Sequence, residues 1–211
     1  MSTFSKCLKI PLLFLPILVA NAAWAQTHEL WLNAGVSFLE NKQLGSPNAD
    51  GAPDDVGLAN GYRFGFRFAF GPGGHFGHEI QYGYSRTGLN DGTAVFLADS
   101  GSAVMAIHQW GYNVLYYVDS AAKEAKIRPF VTAGVHLSDF VLPGSAVYQG
   151  GSFKPGVNYG GGVKIRLSTV FSARFDLRQY ESGKPNWKGL LFHQNGLIHQ
   201  TELSAGLGFS F

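Results

Sequence analysis

Apolar and polar side chains alternate along short segments of the chain, and the final segment shows this pattern most clearly. Between residues 199 and 211 the odd-numbered positions are mostly apolar, whereas the even-numbered positions are polar or very small. A period of two residues indicates a β-strand whose two faces meet different surroundings. We therefore predict a strand that runs to the end of the chain.

The same alternation recurs in seven earlier segments, so the pattern predicts eight strands in all. Helical periodicity is weak, and no apolar stretch beyond residue 25 approaches the roughly 18 residues of a membrane-spanning helix. The pattern therefore predicts an all-β protein. The seven earlier strands cover approximately residues 29–38, 62–70, 79–85, 109–118, 130–137, 159–167 and 171–178.

The connections between these strands alternate between short and long. Short connections lie near residues 71–76, 119–127 and 168–170. Long connections, rich in Gly, Ser, Asn, Asp and Pro, lie near residues 39–60, 87–102, 139–156 and 182–198. Outer-membrane barrels have short turns on the periplasmic side and longer loops on the outside. This rhythm favours a membrane barrel with both termini in the periplasm over a soluble sandwich.

The side chains on the two strand faces also favour a barrel in a membrane. Aromatic residues gather near both ends of the apolar face, as in the girdles at the two membrane interfaces. Charged residues lie on the opposite face, where they avoid the roughly 2–4 kcal/mol that a lipid-facing Arg or Lys costs at the midplane. Because lipid offers no hydrogen bonds to an open edge, the first and last strands must pair. We expect a closed, up-and-down, eight-stranded antiparallel transmembrane β-barrel.

The beginning of the chain has a different character from the rest. Two lysines precede an apolar run over residues 10–20, and Ala23-Trp24-Ala25 forms an A-x-A cleavage site. A positively charged start, a short apolar run and small residues at the end are typical of a secretory signal peptide. We predict a cleaved signal peptide over residues 1–25 and a barrel domain over residues 26–211.

Composition narrows the range of partners and sites. Charged residues make up 14% of the chain, below the roughly 25% of an ordinary soluble domain. Without residues 1–25 the chain has equal numbers of basic and acidic residues, so its net charge gives no support to a nucleic-acid partner. The single cysteine, Cys7, lies in the predicted signal peptide. The mature chain is therefore expected to form neither a disulfide nor a thiolate metal site.

From residue 26 onward the chain resembles the small OmpA/OmpX-type outer-membrane barrels of diderm bacteria. Residues 205–211 are similar to the terminal strand of that family, which ends in an aromatic residue. The resemblance implies a place in the outer membrane, contact with its lipids and lipopolysaccharide, and recognition of Phe209 and Phe211 by the assembly machinery. It implies no particular activity or surface ligand, because the family includes anchors, adhesins, small pores and lipid-modifying enzymes.

The charged residues on the inward-facing side form the first candidate site. Because buried charges need partners, we expect a salt-bridge network that fills a plugged or very narrow lumen. The alternative is a pore for small solutes, in which the excess of basic residues favours anions. The basic residues are Arg63, Arg67, Arg128, Lys164, Arg166, Arg174 and Arg178, and the acidic residues are Glu29, Glu79, Asp176 and Glu202.

His136 and Ser138 are the weak candidates for a catalytic pair. Barrel-type lipid A deacylases use a His-x-Ser pair as base and nucleophile, followed by asparagine, whereas Asp139 follows here. In those enzymes the pair lies on the strand before the last loop, and that strand has no histidine here. A lipid A-modifying enzyme is therefore a minor alternative. We expect a non-enzymatic protein with a structural or surface-binding role.

No metal ion or other cofactor is predicted from the sequence. His75 and His78 flank a glycine-rich turn, but no third ligand accompanies them. The acidic segment over residues 48–55 lacks the spacing of a calcium-binding EF-hand. Its Asn, Asp, Gly and Pro residues are instead typical of a solvated turn.

Overall fold

The structure is a computed structural model, and it describes nine parts of the chain. The predicted signal peptide and the acidic segment over residues 48–55 lie outside the described residues. The described residues are 28–40, 43–46, 56–71, 74–90, 104–118, 125–141, 151–186, 192–193 and 195–211.

Ten strands, eight long and two short, account for most of the described residues. In this part of the chain no helix has the length and apolar character needed to cross a membrane. The short strands are β2 (Gln43–Ser46) and β9 (Phe192–His193). The long strands are β1 (His28–Glu40), β3 (Val56–Phe70), β4 (Phe76–Asn90), β5 (Val104–Tyr117), β6 (Ile127–Val141), β7 (Gly151–Arg166), β8 (Phe171–Gly183) and β10 (Leu197–Ser210).

The eight long strands close into a barrel. Each pairs antiparallel with the next long strand along the chain. The first and last strands also pair, with Leu30 opposite Phe209 and Phe38 opposite Thr201. The predicted fold, an all-β up-and-down antiparallel barrel of eight strands, is confirmed.

Side-chain exposure alternates along the strands, with apolar residues outside and polar residues inside. On β1, Trp31 is 1% exposed, whereas its neighbour Leu32 is 66% exposed. Glycine at some inward positions gives room to the polar side chains. A Cβ on Gly83 would overlap the guanidinium group of Arg63, so glycine is required there if Arg63 is to cross the lumen. The barrel therefore has a lipid-like exterior and a crowded polar interior.

The two ends of the barrel differ, and we name them by their connections. The turn end carries His28, Phe211 and the short connections after β3, β5 and β7. The loop end carries the long connections, including those that contain β2 and β9.

The strands reach farther toward the loop end than the sequence pattern predicted. β4 continues to Asn90, and β2 and β9 form inside segments that were expected to be loops. These two short strands pair with each other, Gly45 opposite His193. Backbone hydrogen bonds can continue a sheet where apolar alternation has ended, so the hydrophobic pattern does not mark the strand ends.

Candidate functional site

Seven charged side chains meet in the middle of the lumen, and we call them the central network. They lie at inward-facing positions of β3, β4, β8 and β10. Because every second side chain of a strand points to the same face, Arg174, Asp176 and Arg178 all point inward from β8. Each member is at most 4% exposed. The members are Arg63, Arg67, Glu79, Arg174, Asp176, Arg178 and Glu202.

Glu79 on β4 binds two arginines that reach across from β8. Its Oε2 accepts a hydrogen bond from Nη1 of Arg174 at 2.6 Å. Its Oε1 lies 2.9 Å from Nη2 of Arg178 and accepts a further bond from Nδ2 of Asn113 at 3.2 Å. One carboxylate therefore joins strands from opposite sides of the barrel.

Asp176 contacts three arginines of the central network. Its Oδ1 accepts hydrogen bonds from Nη2 of Arg174 at 2.8 Å and from Nε of Arg178 at 3.1 Å. Its Oδ2 lies 2.9 Å from Nη1 of Arg67. Asp176 thus links two arginines of its own strand to one from β3.

Glu202 on β10 completes the central network on the side where β1 and β10 pair. Its Oε1 accepts a hydrogen bond from Nη2 of Arg67 at 2.7 Å. Its Oε2 lies 2.9 Å from Nε of Arg63 and accepts a hydrogen bond from the Tyr180 hydroxyl at 2.8 Å. Arg63 also lies over the Tyr180 ring, 4.7 Å from its centroid.

These contacts offset the free-energy cost of burying charged side chains. Moving an ion out of water costs several kcal/mol, which only close partners and satisfied hydrogen bonds can offset. Each carboxylate of the central network contacts at least two guanidinium groups. The planar fork of arginine matches the two oxygens of a carboxylate. In the central network, four arginines and three carboxylates therefore offset much of one another's burial cost.

The remaining charged candidates lie toward the turn end. Lys164 pairs with Glu29. Arg128 donates a hydrogen bond from Nη2 to the Gly74 carbonyl at 3.0 Å and lies 4.1 Å above the Tyr117 ring. Arg166 is only partly buried, at the end of β7. The Trp31 ring lies between this group and the central network, 5.7 Å from both Lys164 and Arg174.

A layer of uncharged polar side chains lies between the central network and the loop end. Nε2 of Gln109 donates to Oγ of Ser138 at 2.9 Å, and Nε2 of Gln200 donates to Oγ of Ser37 at 2.7 Å. Arg63 connects this layer to the central network by donating to Oγ of Ser85 at 3.0 Å. Hydrogen bonds across the lumen thus continue beyond the charged residues.

The two catalytic candidates lie in this polar layer, with Ser182 between them. Nε2 of His136 is 2.8 Å from Oγ of Ser182, and Oγ of Ser138 is 3.0 Å from the same atom. All three residues are buried in the lumen. The pattern that suggested a His-x-Ser pair therefore corresponds to a three-residue chain of hydrogen bonds, in which the histidine contacts a serine from another strand.

A cluster of buried apolar side chains lies inside the barrel toward the loop end, and we call it the apolar cap. All its members are at most 4% exposed. One feature of the sequence pointed to this cluster: Ile107 is an apolar residue on the otherwise polar face of β5. Met105 lies on the same strand, whereas the other five members come from four further long strands and the short β2, so their meeting depends on barrel closure. The members are Leu39, Leu44, Leu58, Met105, Ile107, Phe140 and Ile198.

A small cavity lies beside the central network. It has a volume of about 10 Å³ and lies among Asn33, Arg63, Arg67, Gln81 and Glu202, together with nearby residues. A volume of this size corresponds to roughly one water molecule. This small cavity lies beside the contacts of Arg63 and Arg67 with Glu202.

The predicted assembly signal lies at the turn end, against the beginning of β1. The ring centroids of Phe209 and Phe211 are 6.0 Å apart, and His28 stacks on Phe211 at 6.1 Å. The Phe211 amide donates to the His28 carbonyl at 3.1 Å. The last residue therefore takes part in closing the barrel.

The histidines flanking the glycine-rich turn bind different partners. Nδ1 of His75 lies 2.9 Å from the Tyr117 carbonyl oxygen, and Nδ1 of His78 lies 2.6 Å from the Tyr112 hydroxyl. Across the described residues, no three His, Cys, Asp or Glu side chains come together in a way that could hold a metal ion.

Comparisons with known proteins agree with this architecture. The sequence model of the family described as outer membrane protein beta-barrel domain matches residues 10–211. A comparison with curated proteins finds no match. Neisserial surface protein A has a similar structure, with 15% identity over 87% of this chain and 97% of that chain and a TM-score of 0.60. OprG of Pseudomonas aeruginosa shares 15% identity over 89% of this chain and 97% of that chain, with a TM-score of 0.56.

Proposed function

Because the chain belongs to the family of outer membrane protein β-barrel domains, we propose that it is a sealed scaffold that presents its loops at the cell surface. The description of the family supports a location in the bacterial outer membrane. In our proposal the turn end faces the periplasm and the loop end faces outward. Lipids and lipopolysaccharide surround the barrel, and the assembly machinery recognises its C-terminal strand.

The central network is the observation that carries this proposal. Three carboxylates and four arginines cross-link β3, β4, β8 and β10 through the middle of the lumen. A conducting pore needs a continuous aqueous path, whereas these side chains contact one another across the lumen, and a cavity of only about 10 Å³ lies beside Arg63, Arg67 and Glu202. The apolar cap adds a second barrier at the loop end. The sealed lumen therefore supports a structural or surface-binding role over transport.

A planar-bilayer recording of the purified full-length protein tests the seal. A heat-dependent shift in gel mobility first verifies that the barrel is folded, and a large porin in the same bilayer is the positive control. We expect the folded barrel to give no steady unitary current. A reproducible small conductance, with an ion selectivity that changes in the Arg174→Gln variant, would support the small pore instead.

Lipid modification is the enzymatic alternative, and the burial of His136 and Ser138 argues against it. Both side chains belong to the hydrogen-bonded layer inside the lumen. We propose a structural role for this layer. Mass spectra of lipid A from cells with and without the protein test this point, and a change that His136→Ala abolishes while the barrel still folds would establish the enzyme.

A further inference from the structure

The small cavity beside the central network lies next to an inward-facing glycine of β3, and we call it the internal cavity. Gly65 is part of its lining and lies opposite Asn33 of β1 and Gly83 of β4. A Cβ on Gly83 would overlap the guanidinium group of Arg63, whereas one on Gly65 would first meet backbone atoms of Tyr82 and Gly83. A side chain therefore fills the space over Gly83, while the space over Gly65 belongs to the internal cavity.

Two buried amide side chains line the internal cavity from the two sides of β3. Asn33 on β1 is 7% exposed and Gln81 on β4 is 2% exposed. Within the described parts of the chain, neither polar atom of the Asn33 amide makes a hydrogen bond, and Nε2 of Gln81 makes none. Oε1 of Gln81 is already bound by Arg178 and Tyr180. Because buried polar groups in folded proteins are bound by protein or by ordered water, these atoms call for a partner inside the lumen.

We infer that the internal cavity binds one ordered water molecule, which bridges Asn33 to Gln81 over the gap at Gly65. The water accepts a hydrogen bond from Nε2 of Gln81. It binds the Asn33 amide in either orientation, because a water molecule both donates and accepts. The Ser204 hydroxyl also lines the cavity and donates its own hydrogen to Glu202, so its oxygen accepts a further bond from the water. These bonds make up the roughly three that a buried water usually forms.

Size and chemistry decide between water and an anion as the ligand. Four arginines and three carboxylates in the central network favour an anion by charge alone. The internal cavity, however, has a volume of about 10 Å³, and a single water already needs about 10–15 Å³. A halide ion is larger than water and donates no hydrogen bond, so it leaves Oδ1 of Asn33 unpaired. The carboxylate of Glu202 in the lining also repels an anion.

The bridging water connects two strands that are not neighbours. β1 pairs with β3 and β10, whereas β4 pairs with β3 and β5. A bridge from Asn33 to Gln81 therefore spans β3 on the inner side of the barrel. In this role the water is a structural ligand, which adds a polar link between strands beside the ionic contacts of the central network.

A high-resolution crystal structure of the full-length protein, grown in the presence of sodium bromide, tests the ligand directly. We expect an electron-density peak within hydrogen-bond distance of Asn33 and Gln81. The peak should show no anomalous signal at the bromine absorption edge. An internal cavity without a density peak would overturn the inference, and so would a bromide ion in the cavity.

A double-mutant cycle tests the bridge by its effect on stability. Asn33→Leu and Gln81→Met each remove one end of the bridge while roughly keeping the size of the side chain. The urea midpoint of unfolding in detergent micelles is measured from gel mobility. Once one end is lost, the second substitution has less to remove, so we expect the midpoint of the double variant to fall by less than the sum of the two single shifts.

Asn33→Leu combined with Asn158→Leu is the matched control cycle. Asn158 is 1% exposed, and within the described residues its amide atoms also make no hydrogen bond, but it lies on β7 and does not line the internal cavity. We expect the effects of this pair on the midpoint to add. Only protein with the heat-dependent mobility shift is scored.

Additive effects of Asn33→Leu and Gln81→Met would overturn the bridge. The same conclusion follows if the control pair departs from additivity as much as the test pair does. One water molecule among these side chains does not make an aqueous path through the barrel, so these outcomes are independent of whether the barrel conducts ions.

Discussion

At the scale of single residues, the lumenal charges are stable only as a set. Glu79 is completely buried and contacts Arg174 and Arg178. Glu79→Gln keeps the shape of the side chain but leaves the two arginines with less compensating charge. Removing one partner of a buried ion pair typically costs about 3–5 kcal/mol. We therefore expect Glu79→Gln to lower the urea midpoint of unfolding in detergent micelles. The midpoint is measured from the mobility of the folded and unfolded bands on a gel.

Glu40→Gln is the matched control for this change. Glu40 is also on a barrel strand, but it points outward at the loop end and is exposed. Surface substitutions of this kind usually change stability by less than about 0.5 kcal/mol. Equal midpoints for the two variants would show that the central network does not stabilise the barrel.

At the scale of elements, the decisive contact is the seam between β1 and β10. Phe211 stacks on His28 and Phe209 and lies at the point where the two strands meet. We expect Phe211→Ala to reduce the amount of folded barrel in outer membranes of expressing cells, because in our proposal the assembly machinery recognises the C-terminal strand before it closes the seam. The heat-modifiable fraction in isolated outer membranes measures this effect.

Phe171→Ala is the corresponding control on β8, next to the seam. Phe171 also contacts Phe209, with a centroid distance of 5.9 Å, and is 55% exposed, but it lies at the beginning of β8. The Phe171→Ala substitution therefore removes the same kind of aromatic ring from the same end of the barrel. If both variants reduce assembly equally, the loss of the ring explains the defect, and recognition of the terminus does not.

At the scale of the whole molecule, one long connection contributes a residue to the apolar cap. The connection after β1 brings Leu44 into the apolar cap. Replacing residues 41–55 with a short Gly/Ser linker removes this side chain, and loss of a buried leucine costs about 2–5 kcal/mol. We expect a lower urea midpoint, while the bilayer remains without current because the central network is intact.

Shortening residues 142–150 is the comparison for that experiment. Val141 pairs directly with Gly151, so a tight turn can join β6 to β7 without disturbing the ladder. We expect an unchanged midpoint for this variant. If shortening residues 142–150 lowers the urea midpoint as much as replacing residues 41–55 does, then Leu44 in the apolar cap does not explain the loss of stability.

The sequence was most informative where local chemistry repeats. The alternation on β1 places Glu29 inward and Leu30 outward, and the structure has both residues on the predicted sides. Lipid outside and a polar lumen inside impose a period of two on every strand, so faces, strand number and closure could be predicted. The ends of the strands could not be predicted in this way, because the backbone pairing of β2 with β9 needs no apolar pattern.

The sequence by itself determined the membrane barrel and the set of residues that face its lumen. Only the tertiary structure decided which of those residues meet. Arg67 contacts Glu202, 135 positions away, and His136 binds Ser182 instead of its near neighbour Ser138. The apolar cap likewise combines residues of several strands. Alternation specifies the direction of a side chain, whereas its partner depends on register, and register is set only when the strands pair and the barrel closes.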